Sequence, residues 1–237
     1  MKKYIPDCIT SMNLACGIIG VVFAFKGRLD IAFILMLAAA AADFLDGLAA
    51  RALNAYSDLG KELDSLSDLV SFGVLPSVML YNLSLTCMFG ESWICWIPLT
   101  IALASGIRLA KFNVDTRQTS SFLGLPTPAC AMLAGSLCYY VAADPACFLA
   151  DWCAGPVFIP VLSICLCVLL VSEIPMFSLK FHSDDSAVVK GKRMALGFVV
   201  LAAILVCVIC GLNWSLIILL SLSLYIVKNL AYAILKL

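Results

Sequence analysis

This chain is built from apolar runs long enough to cross a lipid bilayer. A membrane helix needs about 20 mainly apolar residues. Eight segments fit that pattern: Cys8–Phe25, Asp30–Leu53, Leu63–Leu85, Trp93–Phe112, Pro126–Ala142, Gly155–Val171, Arg193–Cys210 and Trp214–Leu235. A closed β-barrel would alternate apolar and polar residues, and continuous runs such as Ile31–Ala42 do not. Hydrophobic residues make up 63% of the 237-residue chain and charged ones 13%, too few to clothe a soluble domain of this length. The expected fold is all-α: a polytopic membrane helical bundle of about eight transmembrane helices.

Charge placement carries more information than the net charge, which is zero. No basic cluster marks a nucleic-acid surface, so no nucleic-acid partner is expected. With the N-terminus inside, one side of the membrane receives Lys2, Lys3, Arg51, Lys61, Arg108, Lys111, Arg117, Lys180, Lys190, Lys192, Arg193 and Lys236. The other side receives Lys26 and Arg28, partly offset by Asp30. Basic loops stay in the cytoplasm, so both termini are expected there. Lys2 and Lys3 ahead of an apolar stretch, and Asn13-Leu14-Ala15-Cys16, superficially suggest a cleaved leader. The residues before Cys16 are too few and too polar for one, and the segment reads as a retained span. Most of the 12 cysteines, including Cys165, Cys167 and the Cys207–Cys210 pair, lie in apolar runs, where a thiol packs as a small hydrophobe. The polar stretch from about Ser178 to Lys192, with His182, reads as a solvated cytoplasmic loop.

The second and third spans break the membrane pattern. They carry Asp43, Asp46, Gly47, Ala50 and Arg51, then Gly60, Asp64 and Asp68. Ionisable residues inside a span mark function by default. Asp43 and Asp46 are three apart, and Gly60, Asp64 and Asp68 are each four apart, so each set shares a helical face. Asp43 and Asp68 lie about 12 Å inside their helix ends. In two neighbouring antiparallel helices the four carboxylates would meet at similar depth, in a pocket open to the cytoplasm. They cannot all stay ionised there without cations. Two divalent cations, Mg²⁺ or Mn²⁺, would meet the need. Gly47 and Ala50 leave room beside the carboxylates, and Arg51 can fork onto a phosphate. A polar helix interface, protonated acids or a proton relay would explain one or two carboxylates equally well. Four at these spacings, interleaved with Gly and Arg, favour metal.

At these residues the chain resembles the CDP-alcohol phosphatidyltransferase family, whose signature D-x2-D-G-x2-A-R-x8-G-x3-D-x3-D is complete here. The resemblance implies a helical membrane enzyme that releases CMP from a CDP-linked substrate. It implies that Asp43, Asp46, Asp64 and Asp68 ligate two metals, that Asp68 is also the general base, and that Gly47, Ala50, Arg51 and Gly60 hold the CDP moiety. A narrower resemblance, to the membrane-embedded bacterial phosphatidylserine synthases, runs through Ile5-Pro6, Thr10, Asn13–Gly17, Ser57–Leu66, Arg108–Asn113 and Phe122–Ala129. That group often has Arg where Lys111 stands, which keeps the charge but loses the fork. It implies CDP-diacylglycerol and L-serine as substrates, a homodimer in the inner membrane, and a six-helix catalytic core over 1–175 followed by a loop and two further helices over 176–237.

Outside the signature, Thr10 and Asn13 could bind nucleotide or metal-bound phosphate, or hydrogen-bond between helices. Arg108, Lys111 and Asn113 are candidates for the acceptor or a phosphate; a serine carboxylate needs a cation. Phe122–Pro128 reads as a shaped loop, with Gly124 at a tight turn and Pro126 opening the next helix. A sister transferase using glycerol 3-phosphate or an inositol phosphate is the nearest alternative and would want a denser basic cluster. A transporter should show broken helices in both halves, whereas the charged spans here cluster in the first.

Overall fold

The computed structural model describes residues 4–55, 57–87, 92–114, 122–176 and 213–235. Its elements are α1 (Tyr4–Phe25), α2 (Leu29–Leu53), α3 (Asp58–Asp68), a π-helical turn (Leu69–Val74), α4 (Leu75–Cys87), a 3-10 segment (Trp93–Leu99) running into α5 (Thr100–Val114), α6 (Thr127–Ala143), α7 (Phe148–Ala154), α8 (Phe158–Val171) and α9 (Trp214–Leu235). The strands among the described residues are one antiparallel pairing, β1 (Phe122–Leu123) with β2 (Pro175–Met176). The chain is a polytopic helical bundle.

Its burial is inverted relative to a water-soluble protein. On one turn of α2, Asp46 is 6% exposed while Phe44 and Leu45 are 63% and 52% exposed. A helix that hides its carboxylate and turns its large apolar side chains outward needs lipid around it. Ile18, Ile19, Val22 and Phe25 face outward on α1 in the same way.

Five described helical runs are long and apolar enough to cross a membrane: Tyr4–Phe25, Leu29–Leu53, Asp58–Cys87, Trp93–Val114 and Trp214–Ala231. A sixth arises if α6 and α7, bent by 107°, count together. The expected span Gly155–Val171 is realised as α8, whose 14 residues reach about 21 Å and fall short of a bilayer core. Pro160 sits in its first turn, where proline is tolerated, and the helix begins at Phe158, three residues later than apolarity alone suggested. The expected span Arg193–Cys210 and the loop with His182 lie outside the described residues.

Helix α1 is the element against which the site is built. Its buried residues are Pro6, Thr10, Asn13, Gly17, Gly20 and Ala24, a stripe at alternating steps of four and three. It packs along α2 on one side and α3, the π-turn and α4 on the other. The small residues permit that closeness: a Cβ at Gly17 would collide with Ser71 Oγ, and one at Gly20 would lie 2.7 Å from Leu75 Cδ2. Ser67 Oγ donates to the Leu63 carbonyl and approaches that of Thr10 at 3.4 Å, and Ser71 Oγ donates to the Asn13 carbonyl at 3.1 Å. Helices α2 and α3, expected to pack directly as neighbours, barely touch each other. Helix α1 wedges them apart and a cleft opens between them.

The core on the other flank is a seam between α2 and α6. Phe33 packs against Tyr139 and Trp214, with ring centroids 5.6 and 5.7 Å apart, which docks α9 onto the same seam. Cys95, Cys130, Cys138 and Cys153 are fully buried, whereas of the cysteines read as packed in apolar runs Cys165 is exposed and Cys167 half-buried, and Cys207 and Cys210 lie outside the described residues. An added Cβ at Gly135 would collide with Met36 Cε and come within 2.7 Å of Phe33 Cδ2. At Gly106 the nearest atom would be Leu69 Cδ1, at 3.6 Å. Gly135→Ala is therefore expected to destabilise the protein by about 1–3 kcal/mol through overpacking. Gly106→Ala should be neutral or slightly stabilising through helix propensity. Thermal unfolding midpoints in detergent check the pair.

Candidate active site

The end of α2 and the start of α3 are set by local sequence. Helix α2 stops at Asn54, whose left-handed backbone (φ 48°) turns the Ala55 N–H back onto the Ala50 carbonyl at 3.0 Å, while its own N–H reaches the Arg51 carbonyl at 3.3 Å. Helix α3 starts at Ser57, whose hydroxyl accepts from the Gly60 N–H at 2.9 Å. These two caps bring the acidic faces of both helices to one end of the bundle.

One carboxylate oxygen from each of Asp43, Asp64 and Asp68 lies within 4.8 Å of the others. Asp46 is held slightly apart, deeper against α1, where the Thr10 hydroxyl donates to its Oδ2 at 2.6 Å. The charges act on one another at close quarters: Asp68 feels Asp43, Asp64 and Asp46. Asp64 Oδ1 is buried without a hydrogen-bond partner. Asn13 Nδ2 points at Asp68 Oδ1 at a long 3.4 Å, and Asn13 Oδ1 is buried without a partner. Hard divalent cations bind oxygens at about 2.0–2.6 Å, so three oxygens this close could share one ion. The donor set, all carboxylate and with an orphaned buried oxygen, fits Mg²⁺ or Mn²⁺.

Beside the triad lies a cavity of about 330 Å³ lined by Thr10, Asp46, Gly47, Ala50, Arg51 and Gly60 among others. Asp64 belongs to both the cavity wall and the triad. Gly47 lies under the Arg51 side chain, with Nη2 4.0 Å from where its Cβ would be. A Cβ at Gly60 would lie 2.8 Å from Asp7 Oδ1 and 2.9 Å from Ser57 Oγ. Asp7 and Lys61 also line this cavity. The sequence motifs do not single out Asp7. Its spacing, three residues before Thr10 on α1 and next to the buried Pro6, is the one signal that points to it.

The three residues proposed for the acceptor part company. Arg108, 8% exposed on α5, donates from Nη1 to Thr127 Oγ1 at 2.7 Å. Asn113 Nδ2 donates to Ser65 Oγ at 2.8 Å and ties α5 to α3. Lys111 is exposed and does not line the cavity. Arg117 lies outside the described residues. The π-turn immediately after Asp68 also has no signal in the sequence. It widens the helix where Ser71, Phe72 and Gly73 are buried, and such bulges recur at functional sites.

Comparison with known proteins agrees with this geometry. The family model described as CDP-alcohol phosphatidyltransferase matches residues 3–166. A CDP-diacylglycerol–serine O-phosphatidyltransferase of Bacillus subtilis is 38% identical over 130 residues, 55% of this chain and 72% of the relative. An archaetidylserine synthase of Methanothermobacter thermautotrophicus is 36% identical over 134 residues, 56% of each chain. A CDP-diacylglycerol–serine O-phosphatidyltransferase of Mycobacterium leprae is 33% identical over 183 residues, 73% of this chain and 58% of the relative. The match thus spans a little over half the length of the last two. With the complete acidic signature gathered around one cavity and a family match over more than half its length, the chain belongs to the CDP-alcohol phosphatidyltransferase family.

Proposed function

We propose that this protein is a phosphatidylserine synthase, which transfers the phosphatidyl group of CDP-diacylglycerol to the hydroxyl of L-serine and releases CMP. The observation that carries the proposal is the carboxylate triad of Asp43, Asp64 and Asp68 beside a cavity with Arg51 at its wall. The names of the serine-specific relatives support the acceptor. Arg108, the buried cation among the described residues, suits one carboxylate better than a phosphorylated acceptor.

Asp43, Asp46, Asp64 and Asp68 would hold two divalent cations, Mg²⁺ or Mn²⁺. Bound there, such ions supply charge neutralisation on the phosphoryl oxygens and on the leaving phosphate. Arg51 forks onto a phosphate of the nucleotide, Gly47 and Ala50 leave space for it, and Gly60 lines the same cavity. Thr10 keeps Asp46 in place, and Asn13 orients Asp68. Asp68 takes the proton of the serine hydroxyl as that oxygen attacks phosphorus. The new serine O–P bond forms, the bond from phosphorus to the CMP oxygen breaks, and CMP leaves with that electron pair. Arg108 holds the serine carboxylate.

The acyl chains remain in lipid while the head-group reacts at the cytoplasmic boundary of the inner membrane, with both termini cytoplasmic. Basic residues support that orientation: Arg51, Lys61, Arg108 and Lys111 fall at the acidic end. Arg28, at the opposite end, is neutralised by a two-pronged pair with Asp30 at 2.9–3.0 Å. A homodimer is the assembly expected from the resemblance.

Purified protein in detergent micelles with Mn²⁺ should release CMP from CDP-diacylglycerol when serine is added. Asp68→Asn should lower that rate by roughly 10²–10⁴-fold, the usual weight of general-base catalysis. Release with glycerol 3-phosphate or inositol phosphate and not with serine would overturn the acceptor. Chelation with EDTA should abolish turnover, and Mn²⁺ or Mg²⁺ should restore it. In Mn²⁺ titrations followed by electron paramagnetic resonance, Asp64→Asn should weaken binding by at least about tenfold. Unchanged Mn²⁺ affinity would remove Asp64 from the ligand set.

A further inference from the structure

Arg108 is a buried cation with a half-used fork. Its Nη1 donates to Thr127 Oγ1 at 2.7 Å, and its Nε is buried without a hydrogen-bond partner. Thr127 itself is fully buried at the first turn of α6, between Pro126 and Pro128. The site signature on α2 and α3 includes neither residue.

The position of that threonine is set by a chain of contacts that begins on α8. Leu125 N–H donates to the Leu169 carbonyl and Gly124 N–H to the Ile174 carbonyl, both at 2.9 Å. Gly124 has φ +75°, and a Cβ there would lie 2.7 Å from the Ser172 carbonyl oxygen and 2.8 Å from that of Leu170. Only glycine fits both the backbone and the space. The segment caps carbonyls at the end of α8 that the helix cannot satisfy itself. Leu125 is fully buried, and Pro126, at φ −59°, starts α6 one residue later. The Thr127 hydroxyl is thus a fixed point in the bundle.

A guanidinium is planar, with donors in a rigid fork. Fixing Nη1 on a stationary oxygen fixes the plane of the group and the direction of its Nε edge. That edge is the unpartnered one, and α5 packs against the π-turn that directly follows Asp68. We propose that Thr127 is a positioning residue: it orients Arg108 so that the Nε edge meets the carboxylate of the amino-acid acceptor, beside Asp68. This rests on the serine reading above. Without the Thr127 oxygen the fork would rotate toward the nearest acidic side chain, and the acceptor would lose its cation while the CDP-lipid kept all its contacts.

The test is steady-state kinetics with both substrates varied, on wild type, Thr127→Val and Thr127→Ser. Valine keeps the branched outline and removes the oxygen; serine keeps the oxygen. Thr127→Val should raise the KM for serine roughly ten- to a hundredfold, the scale of losing a charge-assisted hydrogen bond, and change the KM for CDP-diacylglycerol less than about twofold. Thr127→Ser should restore most of the serine KM. Mn²⁺ binding and the thermal midpoint, measured on all three, separate positioning from folding. An unchanged serine KM in Thr127→Val overturns the proposal. So does a loss shared by both substrates, or a Thr127→Ser as impaired as the valine variant. Were the wild type to use glycerol 3-phosphate and not serine, the serine reading would fall, while the same split on that acceptor would still decide the role of Thr127. A wild type that uses no acceptor overturns both.

Discussion

Four like charges gathered inside an apolar bundle set the terms for everything around them. Each ionised carboxylate removed from water costs several kcal/mol, and neighbours of the same sign add repulsion. The fold answers each charge differently. Asp46, the most buried, takes a 2.6 Å hydrogen bond from Thr10. Asp68 has the Asn13 amide pointing at one of its oxygens. Asp64 borders a cavity with Arg51 and Lys61 on its wall, and one of its oxygens is left without a partner. Such an arrangement is poor for stability and suited to binding cations, which is where the metal reading draws its force.

Helix α1 makes the arrangement possible, and one stripe on it does two jobs. Toward the acidic end the stripe is polar, with Thr10 and Asn13 reaching Asp46 and Asp68. Further along it is small, with Gly17, Gly20 and Ala24 letting the π-turn and α4 approach. The two halves are mechanically linked, because Ser71 both donates to the Asn13 carbonyl and presses on Gly17. A bulkier residue at Gly17 would therefore be felt at Asp68, through the π-turn that follows it, as well as in packing.

What can be read from the sequence follows from the range of the forces involved. Helical periodicity is local, so spacing alone reveals the shared faces of Asp43 with Asp46 and of Asp64 with Asp68. The lipid-facing character is legible for the same reason, since apolar run length is a local property. Contacts that depend on the path of a distant segment are not. Nothing near Asp7 announces that it closes against Gly60. Nothing near Asp68 announces that its helix widens in the next turn. Apolarity counts Gly155–Val171 as a full span, while the helix that forms there has 14 residues. Arg108 stands out as a charge in a span, but its partner Thr127 is 19 residues away, across a loop whose shape depends on α8.

This division also separates the two halves of the proposed reaction. The residues of the acidic signature lie on α2 and α3, where Asp46, Gly47, Ala50, Arg51, Gly60 and Asp64 line the cavity proposed for the nucleotide. A family that shares this signature while using different alcohols cannot encode the alcohol in it. Selection of the acceptor then has to come from elements that reach Asp68 from the other side. On the proposed serine reading those are α5, through Arg108, and the start of α6, through Thr127, which accepts from it. The cation is buried, so its desolvation is compensated only by an anion that fits its remaining edge, and a mismatched acceptor leaves a buried charge unpaired at a cost of a few kcal/mol. A neutral alcohol would then be rejected because it lacks the carboxylate that Arg108 requires, even though its hydroxyl could reach Asp68 as readily as that of serine.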